Sequence, residues 1–149
     1  MTGAAASPSA RSADLDEIRA LSAHYVRHID DGDADAAADL FATDGVWDGS
    51  AAGLPIRNGR DAIREGFANA AAPRYIHLTG NHVITFLDDD HAEGTEHAMA
   101  VHFAAGGDLA LSLSLLTDRY IRTGDGWRFA SRSLRSLGRA KLAAAEPAR

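Results

Sequence analysis

From residue 74 onward the chain consists of four β-prone runs divided by three turn signals, and no other feature constrains the fold as much. The runs cover residues 74–87, 91–103, 109–122 and 127–137. Asp88-Asp89-Asp90, Ala105-Gly106-Gly107-Asp108 and Gly124-Asp125-Gly126 separate them. β-branched and aromatic residues bounded by such turns predict an antiparallel meander. Leu109, Leu111, Leu113 and Leu115 alternate within the third run, as on a strand with one apolar face. Strands this long twist and do not lie flat, so the sheet is expected to curl. A curled sheet packed on helices leaves room for a small-molecule pocket.

The upstream half supplies the helices. Asp14 followed by Glu17 has capping-box spacing and predicts a helix start, running to about Ile29. Leu15, Ile18, Ser22, Tyr25, Val26 and Ile29 fall on one side at helical spacing, so Tyr25 points inward and Asp30 lies at the stripe's edge. Asp31-Gly32-Asp33 breaks the helix, and a short second helix spans residues 34–41. Short strands follow at residues 45–48 and 54–57, and then a third helix capped by Asn58, with Ile63 and Phe67 on one face. Helices first and a meander after them imply an α+β fold, a curved mixed or antiparallel sheet around the N-terminal helices. The expected boundaries are a flexible tail over residues 1–12, a single domain over 13–137 and a flexible tail over 138–149.

Composition narrows the chemistry. A net charge of −6 without a basic patch argues against nucleic-acid and membrane-surface partners. The absence of cysteine removes thiolate nucleophiles and Cys-ligated metals. Residues 1–12 lack an apolar core and no run reaches membrane-span length, so a cytoplasmic protein is expected. No phosphate-binding glycine motif or serine elbow is present. His24 and His28 have i, i+4 spacing but fall on the polar side with no third ligand, so no metal is expected. Acid–base chemistry without a cofactor, or simple binding, is left.

His77, His82 and Asn81 are polar groups inside the first run. Histidine ordinarily titrates near neutral pH and can relay a proton. Helix-to-sheet packing can bring Asp30 to His77, where a carboxylate on one ring nitrogen would leave the other as a base. The alternative is a helix-terminal turn residue and a hydrogen-bonded strand histidine. Tyr25 is either a proton donor to substrate or core. Arg135 alternates with Trp127, Phe129, Ser131 and Ser133 and is expected to share their face. Glu96 is expected to be exposed, and at most one of His97 and His102 faces inward. Trp47, Phe86, Phe103, Leu113, Leu115 and Tyr120 are candidate pocket walls, with Asn81 a polar one. His82, five positions beyond His77, is expected on the opposite face of a regular strand.

The ordered segments Tyr25-Val-Arg-His-Ile-Asp30, Asp39-Leu-Phe-Ala-Thr-Asp44, Asn58-Gly-Arg-Asp-Ala-Ile63, His77-Leu-Thr-Gly-Asn81-His82 and Asp125-Gly-Trp127-Arg-Phe resemble the SnoaL-like branch of the nuclear-transport-factor-2-like superfamily. The resemblance covers about residues 13–137 and implies a cone-shaped α+β barrel with a deep pocket. Within the superfamily the chain is most similar to scytalone dehydratase, bile-acid 7α-dehydratase and hexachlorocyclohexane dehydrochlorinase. Those cofactor-free lyases use an Asp–His dyad that Asp30 and His77 match. The bile-acid enzyme has a tyrosine five residues before its aspartate, as Tyr25 is here, and a final-strand arginine that Arg135 fits. The resemblance thus implies a lyase of the dehydratase type, or an isomerase, acting on a largely apolar cyclic substrate. Asp118 keeps a polyketide-cyclase reading open, and a non-catalytic binding or dimerisation module is a third. Exposed sheet surface favours a homodimer or higher homo-oligomer.

Overall fold

The computed structural model describes residues 7–69, 74–103 and 108–142. Ser7 caps the first helix, α1 (Pro8–Asp31), by accepting a hydrogen bond from the Ala10 amide, and proline suits the first turn. The helix therefore starts six residues ahead of the expected Asp14. Asp14 and Glu17 are taken up elsewhere: Trp127 donates its indole N–H to Asp14 at 3.1 Å and its backbone N–H to Glu17 at 2.8 Å. Gly32, at φ 72°, closes the helix with amide bonds to the carbonyls of His28 and Ile29. Helix α2 (Ala34–Asp39) is capped by the Asp33 carboxylate.

The strands are β1 (Phe41–Asp48), β2 (Ile56–Asn58), β3 (Arg74–Phe86), β4 (His91–Phe103), β5 (Leu109–Thr123) and β6 (Gly126–Leu142), and helix α3 (Arg60–Ala68) lies between β2 and β3. Asn58 does not cap α3; Gly59 precedes it without a side-chain cap. The strands form one sheet in the order β2-β1-β6-β5-β4-β3, antiparallel except for the parallel pair β1 and β6. This is the expected cone-like α+β fold, with a mixed sheet that does not close. Of the expected turn at 105–108, residues 105–107 lie outside the described residues, as does the end of the C-terminal tail. Residues 138–142, assigned to that tail in the expectation, continue β6.

Ile18, Leu21 and Tyr25 of α1 pack on Phe41, Ile63, Trp127 and Phe129 to form the core between helices and sheet. Tyr25 meets the rings of Phe41, Phe67 and Phe129 edge-on. Burying one such aromatic ring stabilises the fold by about 1.5–3 kcal/mol. No helix among the described residues is long and apolar enough to cross a membrane.

Two irregularities decide which strand residues face this core. Between Gly80 and Val83 on β3 the register shifts, so Asn81 and His82 together oppose Glu96. Asn81 takes φ 54°, a left-handed conformation that asparagine tolerates. Between Phe129 and Ser131 on β6 a second extra residue, Ala130, slips the register against β5. A one-residue insertion reverses the alternation of everything beyond it.

Candidate active site

Asp30 lies in the last turn of α1, where the helix dipole disfavours a carboxylate by about 0.3–1 kcal/mol. Two donors from the edge strand β3 compensate. His77 Nδ1 lies 2.5 Å from Asp30 Oδ1, and the His77 backbone N–H donates to Oδ2 at 2.9 Å. A carboxylate only accepts, so Nδ1 carries the proton and Nε2 keeps its lone pair. No described residue bonds Nε2. The two side chains are 21% and 17% exposed and line one cavity of about 450 Å³ between the end of α1, the β1–β2 segment and the inner face of β3–β6.

Tyr25 and Trp47 share that cavity. The Trp47 indole donates to the Tyr25 oxygen at 3.0 Å, leaving the phenolic proton for an acceptor inside. Burial raises the Tyr25 phenol above its ordinary value, the guanidinium of Arg132 opposing, so it remains a donor at neutral pH. Sequence reasoning missed a second polar pair in the cavity, His102 and Ser112, with Nε2 2.8 Å from Oγ. Burial pushes His102 below the usual histidine range, and the positive charge of Arg139 adds to this. The Tyr75 ring lies between the histidines, 4.7 Å from His102 and 5.6 Å from His77. The signal available in the sequence was the hairpin around residues 88–90, whose register places Tyr75 opposite His102.

Several expectations are corrected. Arg135 is exposed, because the bulge at Ala130 turns it outward and brings Arg132 inward. Arg132 is fully buried, bonded to Asp118, Ser22 and Glu96. Burial works against its charge, and Asp118 and Glu96 more than offset that and hold it cationic. Glu96, expected on the surface, is only 2% exposed. His82 faces inward rather than away, since the Asn81 bulge reverses its parity, and its Nε2 lies 2.9 Å from the Tyr120 hydroxyl. Asn81 is exposed at the bulge and is no pocket wall.

Tyr120 donates to Asp118 within the buried cluster and does not line the cavity. Phe86 packs on Trp127, with the Arg11 guanidinium 4.1 Å from its ring, outside the cavity. Phe103 and Leu113 are exposed on the outer sheet face, and Leu115 shares that parity. A hollow must be lined by small side chains. Ala98, Ala100, Ser112 and Ser114 take the inner positions, and the alternating leucines of β5 go outside.

A family model described as a SnoaL-like domain matches residues 10–133. No curated protein matches the chain. Among solved structures, an NTF2-like protein with a cystatin-like fold from Novosphingobium aromaticivorans is 28% identical with a TM-score of 0.75, covering 83% of this chain and 82% of that one. A type-3 hexachlorocyclohexane dehydrochlorinase from Novosphingobium barchaimii is 20% identical with a TM-score of 0.83, covering 96% and 99%. A protein of Novosphingobium aromaticivorans provisionally named scytalone dehydratase is 18% identical with a TM-score of 0.81, covering 93% of each chain. At 18–20% identity the last two share the fold.

Proposed function

The chain belongs to the SnoaL-like domain family, and from that premise we propose that it is a cofactor-independent lyase or isomerase in which His77, oriented by Asp30, removes a proton from carbon. The observation that carries this reading is the Asp30–His77 contact at 2.5 Å on the wall of an open cavity. The bare Nε2 takes the proton, and Asp30 balances the imidazolium that results. In an elimination the C–H electrons become the second bond of an alkene as the bond to the neighbouring leaving group breaks. Tyr25 gives its phenolic proton to departing hydroxide, which leaves as water. In an isomerisation the imidazolium returns its proton to a different carbon. General-base catalysis contributes about 10²–10⁴-fold, and cavity donors aimed at the developing charge supply more.

A largely apolar cyclic substrate suits walls that include Trp47, Phe67 and Leu116. The cyclase alternative is weaker, since Asp118 is fully buried, bonded to Arg132 and Tyr120, and outside the cavity. Proton abstraction is tested by following deuterium uptake from D2O into cyclic ketones and β-hydroxy ketones by NMR. Wild type is expected to accelerate exchange, with His77→Gln and Asp30→Asn at least about 100-fold slower. Equal exchange by all three proteins would refute the mechanism.

The reading includes a homo-oligomer. Leu78, Met99, Leu113 and Gly138 pair across four strands, as do Ile76, Val101, Leu111 and Ala140. These two apolar rows lie on the outer face, with Ile76, Leu78 and Leu113 about half exposed. An apolar surface this continuous is what a second copy of the chain would cover.

A further inference from the structure

Arg57 on β2 is the only arginine or lysine among the described residues lining the cavity that holds His77 and Tyr25. Its side chain crosses α3 at Gly66. A Cβ on residue 66 would lie 1.4 Å from Arg57 Nε and 2.3 Å from its Cζ, so the guanidinium occupies this position only because residue 66 is glycine. Its surroundings leave the charge uncompensated. Nη2 reaches the Gly66 carbonyl at 3.4 Å, long for such a bond, and Nη1 is buried with no partner. The Trp47 ring lies 5.5 Å from Cζ.

Three other arginines at least partly shielded from solvent meet carboxylates. Arg132 meets Asp118 and Glu96, Arg122 meets Asp14, and Arg64 meets Asp35, Asp39 and Asp61. Arg60 donates twice to the Phe41 carbonyl. Arg57 forms no ion pair among the described residues. A shielded cation without a counter-charge is costly, and the guanidinium fork matches a carboxylate better than any other common group.

We propose that Arg57 is the recognition site for an anionic group of the substrate, and that the cavity takes an apolar organic acid. The hydrocarbon body rests on Trp47 and Phe67, and the carboxylate accepts hydrogen bonds from Arg57. Asp30 repels that carboxylate, so the acid end is directed to Arg57 and the reacting carbon is left to His77. On a chain of net charge −6, long-range attraction does not gather anions, and a specific cation in the cavity is what selects them. This inference rests on the cavity being the substrate pocket, and its test reads binding, not turnover.

Calorimetry on the full chain would compare benzoate, 2-naphthoate and cyclohexanecarboxylate with their primary amides, which keep shape and lose charge. In wild type at least one acid is expected to bind about tenfold tighter than its amide. Arg57→Met should reduce that preference to about threefold or less. Gly66→Ala should do the same while keeping the charge in the chain, because the new methyl group displaces the guanidinium. If Arg57→Met fails to fold, Gly66→Ala decides. His77→Gln should keep the preference, which separates this inference from the catalytic reading. If no acid outbinds its amide in wild type, whether or not any of them binds, or if Arg57→Met keeps the preference, the proposal is overturned.

Discussion

Replacing Asp30 by asparagine should turn His77 from a base into a donor without removing a single hydrogen bond. The backbone N–H of His77 must still be accepted, and only the amide oxygen of the new side chain can do so, at the 2.9 Å station now held by Oδ2. That pins the amide orientation and turns its NH₂ toward Nδ1, where Oδ1 now sits 2.5 Å away. Facing a donor, Nδ1 must present a lone pair, and the ring proton moves to Nε2. Two bonds persist, so the stability cost is the difference between charge-assisted and neutral bonds, about 0.5–1.5 kcal/mol. Asp30→Ala leaves both donors unsatisfied and should cost about 1–3 kcal/mol for each. Loss of the base should lower turnover by about 10²–10⁴-fold, or about 2.7–5.5 kcal/mol of barrier. The tautomer can be read without substrate from long-range ¹H–¹⁵N correlation spectra of ¹⁵N-histidine-labelled protein. A wild-type His77 protonated at Nε2, or an Asp30→Asn variant whose His77 is still protonated at Nδ1, would refute the reasoning.

Arg132→Ala should lower unfolding free energy by about 3–5 kcal/mol in denaturant titrations, because it strands Glu96 and Asp118, whereas Arg135→Ala should stay within about 0.5 kcal/mol of wild type. Burial holds His82 below its ordinary pKa, Arg132 and Arg19 acting with it and Glu96 and Asp118 against it. The unfolded chain therefore takes up this proton first, so stability is complete above about pH 6.5 and falls as the pH drops toward the depressed folded value, by at most about 1.4 kcal/mol per pH unit. His102 acts in the same direction. Thermal unfolding of His82→Gln should show a shallower loss between pH 7.5 and 5.5, and identical slopes would contradict this. Light scattering should find wild type as an oligomer and Leu78→Glu/Leu113→Glu as a monomer. A wild-type monomer at tens of micromolar would remove the outer face as an interface.

What the sequence made legible, and what it hid, divides at the two bulges. Upstream of each, period-two alternation holds: Tyr75, His77 and Thr79 share the inner face, and so do Trp127 and Phe129. Downstream it inverts, which is why His82 rather than Asn81, and Arg132 rather than Arg135, came inside. The first bulge had a visible cause, since Gly80-Asn81 pairs a glycine with the residue best able to take a left-handed backbone. The second, at Ala130, has no local signature. Its cause is tertiary: Glu96 and Asp118 already face inward from β4 and β5, and two buried carboxylates require a cation from the next strand. With Phe129 committed to the core, regular alternation would deliver Ser131 and Ser133 to them. Only a one-residue slip delivers Arg132. The charge that settles the register thus lies 14 and 36 residues upstream, beyond any window of strand periodicity. The leucines of β5 misled for a related reason. Hydrophobic alternation identifies a strand's two faces, but when the concave face encloses a cavity, small and polar residues line it and the larger apolar residues fall on the outer face.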